Sequence, residues 1–311
     1  MKKRILSALL ALVMVLALLP ATVFAAAAET GKTSVRYYDK VQTNLKHEDG
    51  TSEVGPGWYY QFQHDLGNGK KETRYAPISN GVVTGTSTSG TWYESAEAAL
   101  AKGQASFTLL GDESISVLSR NLTVDTNGHT LTIGTADMTK VTSLTVTDAR
   151  YAAAQKVGDN TVSQGAVSWN LNNSGTGTQS FTLTLRNGGQ LSGGVSLTNP
   201  ANHTITMTDY AKIGGNVTMS GNAATNANAQ NVSLSNYSKI TGAVELTGNS
   251  SRVNVASSEM GALTLKGTGT QLTVNGIISK VGAVTLNSDQ SKTTGTNATV
   301  NISQGQVKSI T

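Results

Sequence analysis

The sequence predicts an all-β protein, a parallel β-helix in which short coils of about 20 residues stack along one axis. Three observations carry this. The pattern Gly-x-(Val/Leu)-x-(apolar) begins at Gly165, Gly193, Gly215, Gly242, Gly261 and Gly282, at intervals of 28, 22, 27, 19 and 21 residues, with a degraded copy at Gly305. Upstream of five copies lies a second alternating pair: Leu183/Leu185, Ile205/Met207, Val232/Leu234, Val253/Val255 and Leu272/Val274. Each repeat therefore holds two short period-2 strands joined by turns. The third observation is composition: Gly, Thr, Ser and Asn are abundant, and charged residues are 14% against a usual share of about 25%. A propeller blade needs about 40 residues and four strands, and a leucine-rich repeat needs its Leu and Asn consensus, so neither template fits.

Taken in order, residues 1–25 read as a secretory signal peptide. Lys2, Lys3 and Arg4 precede an apolar run from Ile5 to Leu19, then Pro20 and the small-residue pattern Val23-Phe24-Ala25. A run of about 15 apolar residues falls short of the roughly 20 that span a bilayer. The chain is therefore expected to be secreted, extracellular or at the cell surface, with no transmembrane segment after cleavage. Removing those three cations takes the formal charge from +4 to +1, which leaves no basic surplus for nucleic acid. With Cys at 0, disulfide frameworks, zinc-thiolate sites and thiol nucleophiles are excluded.

Residues 26–90 are polar and irregular, with turn clusters at Gly55-Pro56-Gly57 and Gly67-Asn68-Gly69, and read as a region able to form a small β subdomain. Trp58, Tyr59 and Tyr60 lie here as candidate sugar-stacking residues, and the buried core of such a subdomain explains them as well. The β-helix is placed at 91–311. Its first element is a short capping helix near Tyr93 to Lys102, marked by an Ala-rich centre, early Glu residues and Gly103 beyond the end. A strand, Ser106 to Leu110, follows. The copies Ile205 to Met219 and Val232 to Leu246 match position by position, Tyr210 with Tyr237 and Ile213 with Ile240 included. Polar insertions at Ala223 to Ala229 and Ser291 to Asn297 read as looped-out turns.

Stacking predicts columns. Asn187, Asp209 and Asn236 fall in one, and the glycines at 193, 215, 242, 261 and 282 in another, at a corner needing positive φ or close approach. The last coil, from Val300 to Thr311, ends within a strand pair and has no polar cap. It is expected either to continue in a longer parent or to be covered by another subunit, giving self-association.

The segment Glu94-Ser95-Ala96-Glu97-Ala98-Ala99-Leu100, with Gly103 and the strand to Leu110, resembles the capping helix and first strand of pectin-lyase-like right-handed parallel β-helix proteins. Asn121 to Ile133 looks like the early coils of secreted surface proteins and adhesins of Gram-positive bacteria. The likeness covers Trp92 to the end. It implies the fold, and leaves the activity open among lyases, hydrolases, adhesins and stalks.

Catalytic groups on such a coil would stand on its outward faces. One column should read Ser168, Ser196, Thr218, Glu245, Thr264, Thr285, and the other Thr184, Thr206, Ser233, Asn254, Thr273, Asn301. Together they hold one carboxylate and no base, so neither face offers a partnered acid-base pair. His47, His64, His129 and His203 do not fall at metal-ligand spacing, and His203 abuts a loop. No cofactor, metal or catalytic residue is expected. The leading expectation is a non-catalytic β-helical adhesin or stalk presenting Thr/Ser/Asn-rich faces to glycans or protein partners. The alternatives left open are a carbohydrate-binding module using Trp58, Tyr59 and Tyr60, and a polysaccharide lyase or glycoside hydrolase on the same fold.

Overall fold

A computed structural model of the chain describes residues 32–85, 89–221, 228–286 and 298–311. The signal segment 1–25, most of the insertion at Ala223 to Ala229 and all of that at Ser291 to Asn297 lie outside them. Among the described residues no helix is long and apolar enough to cross a membrane. The chain divides into two units, one of Met1–Pro77 with Thr86–Glu94, the other of Ile78–Gly85 with Ser95–Thr311.

In the first unit, alternating residues build an antiparallel sheet in the order Ser89–Tyr93, Lys32–Tyr38, Gly57–Gly67, Lys70–Pro77. Asn68 and Gly69, at φ 54° and 74°, make the hairpin turn, a place where both residues must tolerate positive φ. Tyr59, Tyr75 and Val54 form its small core, with Tyr38 and Leu45 packed against them. Lys46 and Arg74 both pair with Glu72, and Arg74 also donates to the Glu48 carbonyl at 2.9 Å.

The second unit opens with the strand Val82–Gly85, antiparallel to Ser106–Leu109, and continues with helix α1, Ala96–Ala101. Ser95 caps it by accepting from the Ala98 amide, and the Glu113 carboxylate accepts from Ala96 at 2.9 Å. Gly103, at φ 84°, ends it. Parallel strands then stack coil upon coil in three ladders. The first runs through Ser106–Leu109, Leu122–Asp125, Ser143–Thr147, Thr182–Arg186, His203–Met207, Gln230–Ser235, Arg252–Ala256, Gln271–Asn275 and Thr299–Ile302. In it Leu183, Ile205, Val232, Val253 and Leu272 pair in unbroken register, each no more than 1% exposed. This is the buried column that the alternating pairs predict, and long parallel sheets of this kind fit a solenoid.

The other two ladders correct the expectation of two strands per repeat. One begins at Glu113–Leu118 and Thr130–Ala136 and narrows to two-residue strands such as Gln190–Leu191, Lys212–Ile213 and Lys239–Ile240. The other contains the Gly-x-Val-x-Leu strands, from Leu171–Asn173 through Val195–Leu197 to Leu263–Leu265. Lys280–Leu286 joins both, pairing Val281 with Met260 and Val284 with Leu263. The Gly165 copy belongs to the narrow ladder, because Val167 pairs with Leu131 and Leu191. Asn172, not Ser168, therefore precedes Ser196 in the outward column.

The glycine corner serves close approach. A Cβ on Gly242 would lie 2.4 Å from the Gly215 carbonyl oxygen, and one on Gly261 would lie 2.3 Å from that of Gly242. The first ladder continues from Ser143–Thr147 directly to Thr182–Arg186, while the chain after Thr147 turns into helix α2, Ala149–Lys156. Its N-cap Asp148, wholly buried, accepts from the amides of Tyr151, Gly128 and Gly165 at 3.1, 3.1 and 2.6 Å. One carboxylate thus ties the helix to two coils.

Candidate functional site

The outward central residues of the first ladder form a single row: Ser106, Thr123, Thr145, Thr184, Thr206, Ser233, Asn254, Thr273 and Asn301. Period-2 alternation puts them opposite the core side chains, and parallel in-register pairing spaces them about 4.8 Å apart. The row holds hydroxyls and amides and no charge. On the third ladder the row is Asn172, Ser196, Thr218, Glu245, Thr264 and Thr285, and the Thr285 and Thr311 hydroxyls lie 3.4 Å apart. Its single carboxylate, Glu245, binds Lys266 Nζ at 2.8 Å.

The narrow ladder carries a charged row. Lys212, Lys239, Glu259 and Lys280 are consecutive rungs, and Glu259 binds Lys239 at 2.7 Å and Lys280 at 3.6 Å. The hydrogen bond from Lys239 holds the Glu259 carboxyl below its ordinary range. An open groove of about 1030 Å³ runs beside this row toward Ile302, Val307 and Ile310 of the last coil. Among the described residues Glu259 is the one acid lining it, and they offer no carboxylate pair at the separation glycosidases use.

Two acids do meet at helix α2. Burial pushes the Asp125 carboxyl up, opposed by the hydrogen bond from the Asn127 amide and reinforced by the charge of Asp148. Both are committed to backbone amides, Asp125 to Asn127 and Asp148 to the three named above. They act as structural caps.

His203 is the first residue of its strand and abuts the loop 198–202, as expected, while its side chain turns into the core. It is 0% exposed, its Nδ1 accepts from the Phe181 amide at 3.1 Å, and its Nε2 faces the Asn199 carbonyl at 3.4 Å. Burial lowers its pKa below the ordinary value. Gln230 continues this buried polar edge, its Oε1 accepting from the His203 amide and its own amide donating to Ser251 Oγ. His129 sits 3.8 Å from Asp112 and His47 3.7 Å from Asp49, each histidine with one acid. Among the described residues no group of three or more His, Asp or Glu is placed to hold a metal.

Trp58, Tyr59 and Tyr60 alternate across their strand. Tyr59 is 7% exposed and belongs to the core. Trp58 packs on Tyr37, with ring centroids 5.5 Å apart and planes tilted by 52°, and Tyr60 stacks on Phe62 at 6.2 Å. The strand brings Trp58 and Tyr60 to one side and sends Tyr59 to the other.

A different aromatic pair includes an exposed ring, Tyr237 at 59%. Tyr210 and Tyr237 stack face to face with centroids 5.1 Å apart and planes within 7°. They follow Asp209 and Asn236, whose side chains bond at 3.1 Å in the column expected for Asn187, Asp209 and Asn236. The match between the two repeats contained this pair; its exposure was not legible there. Compared with protein-family models, curated proteins and solved structures, the chain matches none.

Proposed function

We propose that the chain is a right-handed parallel β-helix of the pectin-lyase-like kind, exported to the cell surface and acting there without catalysis, as an adhesin or stalk that presents hydroxyl- and amide-rich faces to glycans or protein partners. The observation that carries this reading is the uncharged row from Ser106 to Asn301, nine rungs long and flat by construction. A repeating hydroxyl surface supplies many weak hydrogen bonds to an equally repetitive partner such as a polysaccharide. The acids at and beneath these faces support the absence of turnover, since Glu245 and Glu259 each pair with lysine, and the buried Asp148 and half-buried Asp125 are engaged by backbone amides. Self-association through the last coil is part of the proposal, on the exposure of Ile302 and Ile310, 44% and 48%. A glycan-array screen run beside a reducing-sugar release assay tests the reading: binding without release is expected, and release of sugar overturns it.

A further inference from the structure

We propose that Tyr237, with Tyr210 beneath it, is a carbohydrate-binding rung whose open face takes one hexose ring of a neutral glycan. This rests on the glycan-binding reading above and assigns it a place.

The backbone makes the first argument. Tyr210 and Tyr237 sit at φ 64° and 66°, a region in which a bulky side chain is an outlier. The preceding coil meets the same turn with Gly188 at φ 78°, and an earlier one with Gly128 at φ 84°. Glycine is the strain-free choice at this corner, and two successive coils carry tyrosine instead. Stacking of one ring on the other offsets part of that strain and does nothing for the far face of Tyr237, which is 59% exposed.

The next coil makes the second argument. Ser257, at φ 49°, stands in the register of Asn236. It is followed at once by Ser258, which stands in the register of Ser238 on the side away from Tyr210: the Ser238 amide donates to Ser258 Oγ, and both serines are buried. The residue that would stack on Tyr237 is therefore left out of that coil. One coil further on, Ile277 and Ile278 stand out, 81% and 42% exposed. Between the Tyr237 and Ile277 rungs lie two strand spacings, roughly 9.6 Å. A ring clasped on both faces at carbon contact distance needs about 7–8 Å.

The polar neighbours choose the ligand. Asp209 and Asn236 present a linked carboxylate and amide beside the rings, and Ser257 a hydroxyl. A sugar lays its C–H face on the tyrosine and gives its hydroxyls to these groups, whereas a purely apolar or aromatic ligand leaves them unpaired. The Asp209 carboxylate stands beside the rings, and of the two lysines that follow the tyrosines Lys239 is engaged by Glu259, which leaves Lys212 alone to attract a polyuronate and favours a neutral sugar.

The test titrates the full chain and its Tyr237→Ala, Tyr237→Phe and Tyr237→Gly variants with cellohexaose, maltohexaose, chitohexaose and a hexagalacturonate, by calorimetry and with reducing ends assayed in the same samples. At least one neutral hexaose should bind. Ala and Gly should weaken it about tenfold or more, and Phe should keep most of the affinity. The Gly variant should melt no lower than the parent, because it relieves the φ, which separates lost recognition from lost folding. No binding by any neutral hexaose, tighter binding of hexagalacturonate, or unchanged affinity in Tyr237→Ala would overturn the site. In the last case the glycan-binding reading survives without it. Loss of affinity in Tyr237→Ala together with sugar release by the parent would keep the site and overturn the non-catalytic reading.

Discussion

The backbone amide of Phe181 donates to Nδ1 of His203 across 3.1 Å, inside the core and between successive coils of the first ladder. That bond requires a neutral imidazole with its proton on Nε2, facing the Asn199 carbonyl. Protonation would set a second N–H against the Phe181 amide in a site without water access. Burial accordingly holds the folded pKa below 6.5 while the unfolded chain keeps the ordinary value. Between those values the unfolded state binds more protons, so stability falls as pH drops below about 6.5. Denaturation midpoints at pH 7 and 5 should differ more for the parent than for His203→Gln. Equal differences would mean that His203 does not titrate on unfolding.

Gly242→Ala should be among the costliest single substitutions in the stack. Its Cβ would meet the Gly215 carbonyl oxygen at 2.4 Å and Asn216 Oδ1 at 2.5 Å, and backbone cannot give way cheaply there. A loss of about 2–4 kcal/mol is expected. Gly177→Ala, with nothing within 4 Å, is the matched control and should change stability by less than about 0.5 kcal/mol. Urea denaturation of the two variants side by side checks the contrast.

Asp148 and Asp125 should behave oppositely, although they are neighbours. Asp148→Ala strands three amides, those of Gly128, Tyr151 and Gly165, and should cost about 3 kcal/mol or more. Asp125 carries a raised folded pKa, so the folded state binds more protons and stability declines as pH rises from its ordinary 3.8 through the folded value. Asp125→Asn removes that penalty and should be neutral or stabilising at pH 7. Urea midpoints of both variants at that pH test the pair.

Glu245→Gln removes the one carboxylate of its row and its ion pair with Lys266. An exposed pair is worth about 0.2–1 kcal/mol, so the melting temperature should barely move. Binding to any glycan found on an array should be unchanged. Loss of a hydrolytic activity in a folded Glu245→Gln protein would contradict the non-catalytic reading.

The two wider ladders were legible because three to five residues of alternation suffice to reveal a face, and Leu183, Ile205, Val232, Val253 and Leu272 fall into one register from their sequence phase alone. The narrow ladder was not. A strand such as Lys212–Ile213 has one inward and one outward residue, too few to display a period, and the Gly165 copy, on the three-residue strand Ala166–Ser168 of that ladder, carries the same Gly-x-Val-x-apolar pattern as the third ladder. His203 could have been found. It shares the parity of Ile205 and Met207, as Gln230 does of Val232 and Leu234, and that parity marks both as inward-facing. The exposure of Tyr237 depends on one residue omitted at Ser257, a difference visible once the coils are paired.

The stacking itself is open to direct measurement, because the chain has no cysteine and two introduced ones label uniquely. Thr123 and Thr273 stand in the same outward row, six rungs apart through Thr145, Thr184, Thr206, Ser233 and Asn254. At about 4.8 Å per rung their backbones lie ~29 Å apart. Double electron–electron resonance between spin labels at Thr123→Cys and Thr273→Cys should give one narrow distribution centred near that distance, within the reach of the label arms. A broad distribution, or one centred far from it, would contradict the in-register ladder on which the whole account depends.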